Sequence, residues 1–514
     1  MVFSPTPSPA GSPPTLEETT TRETTPWTPL FSHSCSFPPE IFRQVMLNLI
    51  RNPNINSNRL FRADISLDIP FTSNLAPDSE IPPRIAHFKD FDLKTVMVRT
   101  MIPRNPLLDK PLDQTCMFYE QTRDSDIQSL VIYNPHISSA SESPFYHPSV
   151  RGIAFLHTIN NSSPSPSTPK EATLSIHYSF FPASPRSPKH EQTAHHLLRV
   201  LHKHGQGLST GYVKRVQHDV VLPQAVVQNT YARLKAKYAK ALCESWSEST
   251  DPTKHVFEDL GIAAFLVELW REMYDGGPFP GFVDIGCGNG LLVHVLLEEG
   301  YAGWGFDARR RKSWATWSEA AQENLKELVL IPSIIQTVGS GSGDRNLDTE
   351  AGKGGQGGEG VGIHNGIFPT GTFIISNHAD ELTPWTPILA TLSSSPFIVI
   401  PCCSHALSGS RFRAPPPPPS KPTPSTPNPQ KPTNTSTSAS AFASLVAWVS
   451  NIAEDCGWVV EKEMLRIPST RNTALIGRRT VDVDVDGQKR EVDMKDVVRK
   501  YGGAEGWEGN AMKL

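Results

Sequence analysis

Residues 282–314 read FVDIGCGNGLLVHVLLEEGYAGWGFDARRRKSW. An apolar run ends near Asp284, glycines follow at positions 286, 288 and 290, a helix-like apolar segment intervenes, and a second apolar run ends in Asp307. Strand, turn, helix and strand in that order make a βαβ unit, whose strands pair in parallel through a right-handed crossover. The alternation continues through "WATWSEAAQENLKELV", read as a helix, then "GTFIISN", "TPILATLSSS", "PFIVIPC" and "AFASLVAWVSNIAEDCG". This pattern predicts a doubly wound, Rossmann-like α/β domain. In such a sheet a ligand lies at the carboxyl ends of the strands where strand order reverses, and glycines there let the backbone approach it closely. The dinucleotide fingerprint is G-x-G-x-x-G; here Leu291 stands where its third glycine belongs, which disfavours an NAD site.

Composition limits how much of the chain folds. Of 514 residues 47 are proline, nearly twice the usual level of about 5%, and they are concentrated in a few tracts. Residues 1–34 are Ser/Thr/Pro-rich and read as a disordered tail, because they offer too little apolar surface to offset ordering entropy. Flexible insertions are expected at "NNSSPSPSTPKEA" from Asn160, at residues 339–366 (glycine-rich) and at residues 408–440 (proline-rich). Seven cysteines without regular spacing fit reduced thiols and a cytoplasmic setting. No apolar run approaches the roughly 18 residues that span a bilayer, so no membrane association is expected. The net charge of −4 gives no global pull toward nucleic acid, yet basic residues cluster at 309–312, 233–240 and 466–479.

Upstream of the glycine turn, residues 35–225 read as an α+β region, with "SLVIYNP" a strand. In "YARLKAKYAKALCESW", Tyr231, Leu234, Tyr238 and Leu242 form one helical stripe; its basic face is either simply solvated or faces RNA. A second helix starts at Asp251 as cap with Pro252 at its first position, and carries Val256, Leu260, Ala263, Val267 and Trp270 on one face. The catalytic domain is placed at 226–485 and a C-terminal tail at 486–514.

With Asp284 before the turn and Asp307 ending the next strand, the D-x-G-x-G-x-G form resembles the cofactor site of class I S-adenosylmethionine-dependent methyltransferases. That resemblance implies S-adenosyl-L-methionine as cofactor, with Gly286, Cys287, Gly288, Asn289 and Gly290 against its methionine part. It further implies that Asp307 accepts hydrogen bonds from the ribose hydroxyls, that Asp284 supports the amino-acid end, and that Asn377 contributes from a later strand. The same stretch, with "SNHADELTPW", "PCCSHAL", "RIPSTRNTALIG", "KYAKALCESWSESTDPTKHVFEDLGIAAFL" and "YEQTRDSDIQSLVIYNPHIS", resembles the eukaryotic tRNA (uracil-2′-O-)-methyltransferase family that acts on uridine-44 of serine tRNA. It covers roughly residues 100–150 and 195–480 and implies serine tRNA as the partner, gripped in part by the N-terminal region. A methyltransferase acting on another RNA or on protein, and a non-catalytic tRNA-binding protein with this fold, are the competing readings.

Methyl transfer to a ribose hydroxyl needs in-line geometry and a group that removes or holds the hydroxyl proton. "SNHADELTPW" follows an apolar run, so Asn377, His378, Asp380 and Glu381 emerge at the edge of the glycine turn. Asp380 is the expected base or its orienting group, with His378 and Glu381 as competitors; the acids also suit the positive end of a helix starting at Thr383 or Thr386. Many ribose methyltransferases use a Lys-Asp-Lys-Glu tetrad, whose two lysines have no assignable counterpart here. Arg309, Arg310, Arg311 and Lys312 are candidates for tRNA phosphate contact or form a solvated basic turn. Arg471, with Asn472, either serves the substrate or shapes a hairpin. Cys402, Cys403 and His405 lack the spacing of a zinc site, and no metal is expected.

Overall fold

The computed structural model describes residues 3–19, 26–71, 80–123, 126–160, 172–182, 184, 186–212, 217–335, 362–416, 440–481 and 492–513. The chain divides into two units, Met1–Arg215 and Val216–Leu514. In the first, β1 (Thr6–Pro7), β2 (Trp27–Cys35), β3 (Leu60–Pro70), β4 (Asp92–Pro103), β5 (Leu112–Arg123), β6 (Asp126–Pro135), β7 (Gly152–Asn160) and β8 (Ala172–Ser179) form one sheet. Its order is β1-β2-β8-β7-β6-β5-β4-β3, and every neighbouring pair is antiparallel. Helices α1 (Pro39–Arg51) and α2 (Pro188–Ser209) cover one face, where Phe42, Met46, Leu198 and Leu201 pack on Met97, Val131, Phe155 and Ile176. Arg99 is buried beneath α1; its guanidinium donates to Gln114 Oε1 at 2.6 Å and to the Ile50 carbonyl at 2.6 Å, satisfying the negative end of that helix.

The expected N-terminal tail differs from what is found. Residues 27–35 pair with β8 along its length, and Trp27 is buried, its Nε1 donating to Glu18 Oε2 at 3.1 Å. Local composition concealed this, because the strand gains its stability from a partner far along the chain. Residues 161–171 of the first expected insertion lie outside the described residues.

The second unit contains α3 (Gln224–Glu244), α4 (Pro252–Tyr274), β9 (Phe282–Ile285), α5 (Leu291–Glu298), β10 (Gly303–Asp307), α6 (Glu319–Asn324), β11 (Leu325–Leu330) and β12 (Gly362–His364). It continues with β13 (Phe373–Asn377), α7 (Thr386–Leu392), β14 (Phe397–Ile400), α8 (Ala441–Asp455), β15 (Trp458–Met464), β16 (Thr473–Thr480), α9 (Met494–Lys500) and α10 (Trp507–Ala511). Strand order is β12-β11-β10-β9-β13-β14-β16-β15. The run from β12 to β14 is parallel, and β16 is antiparallel to both of its neighbours. Side chains alternate across the sheet as strand geometry requires. Phe282, Phe373, Ile375 and Ile398 pack with α3, α4 and α5. Val283, Ile285, Ile374 and Val399 pack with α7, α8, α9 and α10. On the first face Trp270 of α4, 1% exposed, stacks on Phe282 at 5.7 Å; burying a large apolar side chain stabilises by roughly 1.5–3 kcal/mol.

Three further expectations change. "WATWSEAAQENLKELV" is not one helix: α6 ends at Asn324, and Leu325–Leu330 becomes a strand because Leu325, Lys326 and Glu327 find parallel partners on β10. Residues 336–361 and 417–439, most of the two flexible insertions, lie outside the described residues, but 362–364 form β12 and Ser440 caps α8. Residues 492–513 are not a tail: they carry α9 and α10, with Trp507 fully enclosed.

Candidate active site

The glycine turn leaves the carboxyl end of β9, where the strand order reverses between β10 and β13. Gly286 and Gly288 have φ of +71° and +53°, a left-handed backbone costing other residues roughly 1–2 kcal/mol. A Cβ on Gly286 would lie 3.0 Å from Ala379 Cβ, whereas one on Gly288 would meet nothing within 4 Å and would project into open space. The turn is held from behind. Trp314 Nε1 donates to the Gly288 carbonyl at 2.9 Å, and the Asn289 carbonyl accepts from Trp317 Nε1 at 2.7 Å and from Ser313 Oγ at 2.8 Å. Asn289 Oδ1 accepts from the Leu291 amide at 2.9 Å at the start of α5, and Gly290 precedes that helix in a left-handed conformation.

Asp307 ends β10 beside the turn. Its Oδ2 accepts from the Gly288 amide at 3.0 Å and its Oδ1 from the Arg309 amide at 3.1 Å, with the Arg311 guanidinium at 3.4 Å. Two cavities flank the turn. One, of about 340 Å³, is bounded by Phe306, Asp307, Ala308, Val329, Leu330 and Leu382. The other, of about 450 Å³, is bounded by Glu258, Asp259, Asp284, Cys287, Asn377 and Arg471. Gly286, Gly288, Arg311 and His378 border both.

The second cavity has an acidic wall of Glu248, Glu258, Asp259 and Asp284, with Lys254, Arg311 and Arg471 also bordering it. Asp284 is 1% exposed and its Oδ1 has no hydrogen-bond partner among the described residues. Burial, and after it the charges of Asp259 and Asp307, hold its carboxyl well above the usual range. Asp259 keeps part of its surface open to the cavity and accepts from Asn377 Nδ2 at 3.2 Å; burial and the neighbouring Glu258 push it up to about 7. Glu258 behaves oppositely. Burial raises its carboxyl, but the hydrogen bond and charge of His378, with a bond from Ser469, outweigh burial and hold it below the usual range. His378 Nε2 lies 3.0 Å from Glu258 Oε1, so the ring donates there, and Nδ1 has no partner among the described residues.

Asp380, at φ +40°, borders the first cavity and accepts from the Cys402 thiol at 2.7 Å. Glu381 borders the same cavity, 3.5 Å from His405 Nε2. Asp380, Cys402 and Cys403 bring potential ligand atoms within 4.8 Å of one another, while burial and Asp380 push the Cys402 thiol up. Arg309, Arg310, Arg311 and Lys312 form an exposed turn; Arg310 lies over the Trp314 ring at 5.5 Å and 3.8 Å from Glu327. Arg471 is exposed at the acidic cavity, its guanidinium 4.6 Å from the centre of the Phe442 ring, while Asn472 Nδ2 donates to the Leu465 carbonyl across the β15–β16 hairpin. Sequence reasoning missed Glu258 and Asp259. Their signal was two acids between Val256 and Leu260, on a helix otherwise apolar toward the sheet.

Two family models match the chain. "TRM44-like, N-terminal bet v1-like domain" matches residues 5–215, and "Predicted AdoMet-dependent methyltransferase" matches residues 221–332. A Neurospora crassa protein named tRNA (uracil-O(2)-)-methyltransferase is 50% identical, covering 98% of this chain and 95% of its own. The chain belongs to the TRM44-like tRNA (uracil-O(2)-)-methyltransferase family. Relatives with the same name occur in Aspergillus oryzae (40% identical, 91% of this chain and 85% of that one) and Schizosaccharomyces pombe (37%, 95% and 92%). The TRM44-like N-terminal match ends at residue 215, where the first structural unit ends. The methyltransferase match contains Glu258, Asp259, the glycine turn and Asp307, and S-adenosylmethionine is the methyl donor of such a domain.

Proposed function

We propose that this protein transfers a methyl group from S-adenosyl-L-methionine to the ribose 2′-hydroxyl of a uridine in tRNA, through a doubly wound, Rossmann-like catalytic unit. The observation that carries the reaction is the left-handed glycine turn at the reversal of strand order, flanked by one cavity that holds Asp307 and another that holds Asp259 and Asp284. The names of its relatives support tRNA as substrate. Serine tRNA and uridine-44 rest on the resemblance of the sequence motifs. The first unit is read as the part that helps grip tRNA. The cytoplasm is read as its place of work, because none of the seven cysteines is joined in a disulfide; no helix among the described residues is long and apolar enough to cross a membrane.

The residues fit the cofactor. Open space at Gly288, and an Asp284 Oδ1 with no partner among the described residues, suit a ligand that lies on the backbone and carries positive charge. S-adenosylmethionine supplies an electrophilic methyl group on a sulfonium. Asp307 would hold the ribose hydroxyls, the backbone of Gly286, Cys287, Gly288, Asn289 and Gly290 the methionine part, and Asp284, Asp259 and Asn377 the ammonium. His378 would accept the proton of the 2′-hydroxyl, and Glu258 would stabilise the imidazolium that forms. Arg471 and Arg311, with Arg309, Arg310 and Lys312 beside them, would meet tRNA phosphates.

The acidic cavity predicts pH-dependent cofactor binding. Asp259 is raised to about 7 in the free protein, and a cationic ligand favours its ionised form, so binding releases a proton. Affinity is therefore full above that value and falls as pH drops through it, by up to roughly tenfold per unit for each proton released. Titration calorimetry between pH 6 and 8, in buffers of different ionisation enthalpy, checks this; a pH-independent dissociation constant contradicts it.

The reaction itself is tested by incubating the protein with labelled S-adenosylmethionine and bulk tRNA from cells lacking the enzyme, then mapping the labelled nucleoside. Label on a uridine ribose of serine tRNA is the expected result. Cofactor binding without transfer to any tRNA overturns the substrate.

A further inference from the structure

We propose that the C-terminal helix α10 is a wall of the cofactor site, closing the side that takes the adenine base, with Ala511 setting the room left for it. This rests on the cofactor reading above. The cavity beside Asp307 has an apolar side, where Phe306, Val329, Leu330 and Leu382 suit a flat heteroaromatic base, and a charged side formed by Asp307, Arg309, Arg311, Asp380 and Glu381. Trp507 and Ala511 complete its lining. They come from the end of the chain and belong to neither the glycine turn nor the strand ends.

A five-residue helix has no stability of its own, so its position must come from tertiary contacts. Trp507 is 1% exposed; its Nε1 donates to the Leu330 carbonyl at 2.9 Å, and its ring meets that of Trp385 edge-on at 5.5 Å. Asn510 Nδ2 donates to the Ser408 carbonyl at 2.9 Å. Beyond the helix the Lys513 carbonyl accepts from the Arg309 guanidinium at 3.3 Å, which ties the chain end to the loop that follows Asp307. Helix α10 is thus fixed to the end of β11 and to the loop after β10, the two elements that frame the apolar cavity. Ala511 is 2% exposed and borders that cavity with a single methyl group, so a larger side chain there would occupy the space of the base.

The test uses full-length protein and measures cofactor and tRNA affinity for wild type and Ala511→Phe, with a thermal melt of each. The expected result is a variant that still unfolds cooperatively, at a lower temperature than wild type because a ring is forced into a buried site, and binds tRNA normally but binds S-adenosylmethionine at least roughly tenfold more weakly, because an aromatic ring and the base cannot share the cavity. A folded variant with unchanged cofactor affinity overturns the proposal. Should Ala511→Phe fail to fold, hydrogen exchange of wild type decides: amides of residues 507–513 are expected to slow on adding the cofactor, and unchanged exchange overturns the role of α10. Wild type that binds no S-adenosylmethionine overturns the cofactor reading, and this inference with it; wild type that binds while α10 is indifferent overturns only the latter.

Discussion

Replacing His378 with alanine is expected to lower kcat for tRNA methylation by about 10²- to 10⁴-fold, the range for a lost general base, while cofactor affinity changes little. His378 borders both cavities, beside the turn between the apolar and the acidic side. Its ring is oriented by Glu258 at 3.0 Å, and Nδ1 is buried with no partner among the described residues, so the side chain must shift slightly to meet the hydroxyl. A base oriented by a buried acid is a recurrent way to take a proton from a hydroxyl and to hold the charge that results. Glu258 acts through the ring and is a positioning residue. Glu258→Gln should therefore lower kcat less than His378→Ala and leave the cofactor dissociation constant close to that of wild type, because the ring keeps its place but loses the carboxylate that orients it. Asp380, the residue favoured on sequence grounds, borders the same cavity as His378 and accepts from the Cys402 thiol. Single-turnover rates decide between them. A folded Asp380→Ala variant that loses methyl transfer while His378→Ala retains it would move the role to Asp380.

The second large effect is expected at Asp307. Its carboxylate holds the Gly288 amide at 3.0 Å and the Arg309 amide at 3.1 Å, and it borders the apolar cavity. Asp307→Ala removes an acceptor for two ligand hydroxyls and frees two backbone donors that shape the turn. Hydrogen bonds to charged groups contribute about 1.5–3 kcal/mol each, so even partial loss weakens S-adenosylmethionine binding by roughly 10²-fold. Binding of tRNA should be nearly unaffected. Equilibrium dialysis with labelled cofactor measures the loss directly. A dissociation constant close to that of wild type would remove Asp307 from the cofactor site.

The spacing of Asp284, Gly286, Gly288, Gly290 and Asp307 made the turn and its two strands legible from the sequence alone. Each demand there is local: a left-handed φ that glycine meets, apolar runs of strand length, and an acid at the end of each run. The start of α4 was legible for the same reason, since Asp251 caps it with an acceptor for the Thr253 amide at 2.9 Å. What the sequence left undecided depends on partners distant in the chain. Asn377 meets Asp259 across 118 positions, and Trp507 reaches the Leu330 carbonyl across 177. Periodicity names neither partner, although the acids at 258 and 259 interrupt the apolar pattern of α4, because each encounter follows from which faces the sheet buries and where its strands end. The same holds for Trp27–Cys35 and for Leu325–Leu330, both read differently until their pairing is known. A strand's ladder lies on another segment, so local propensity underdetermines it, whereas a turn's backbone conformation is set by its own residues.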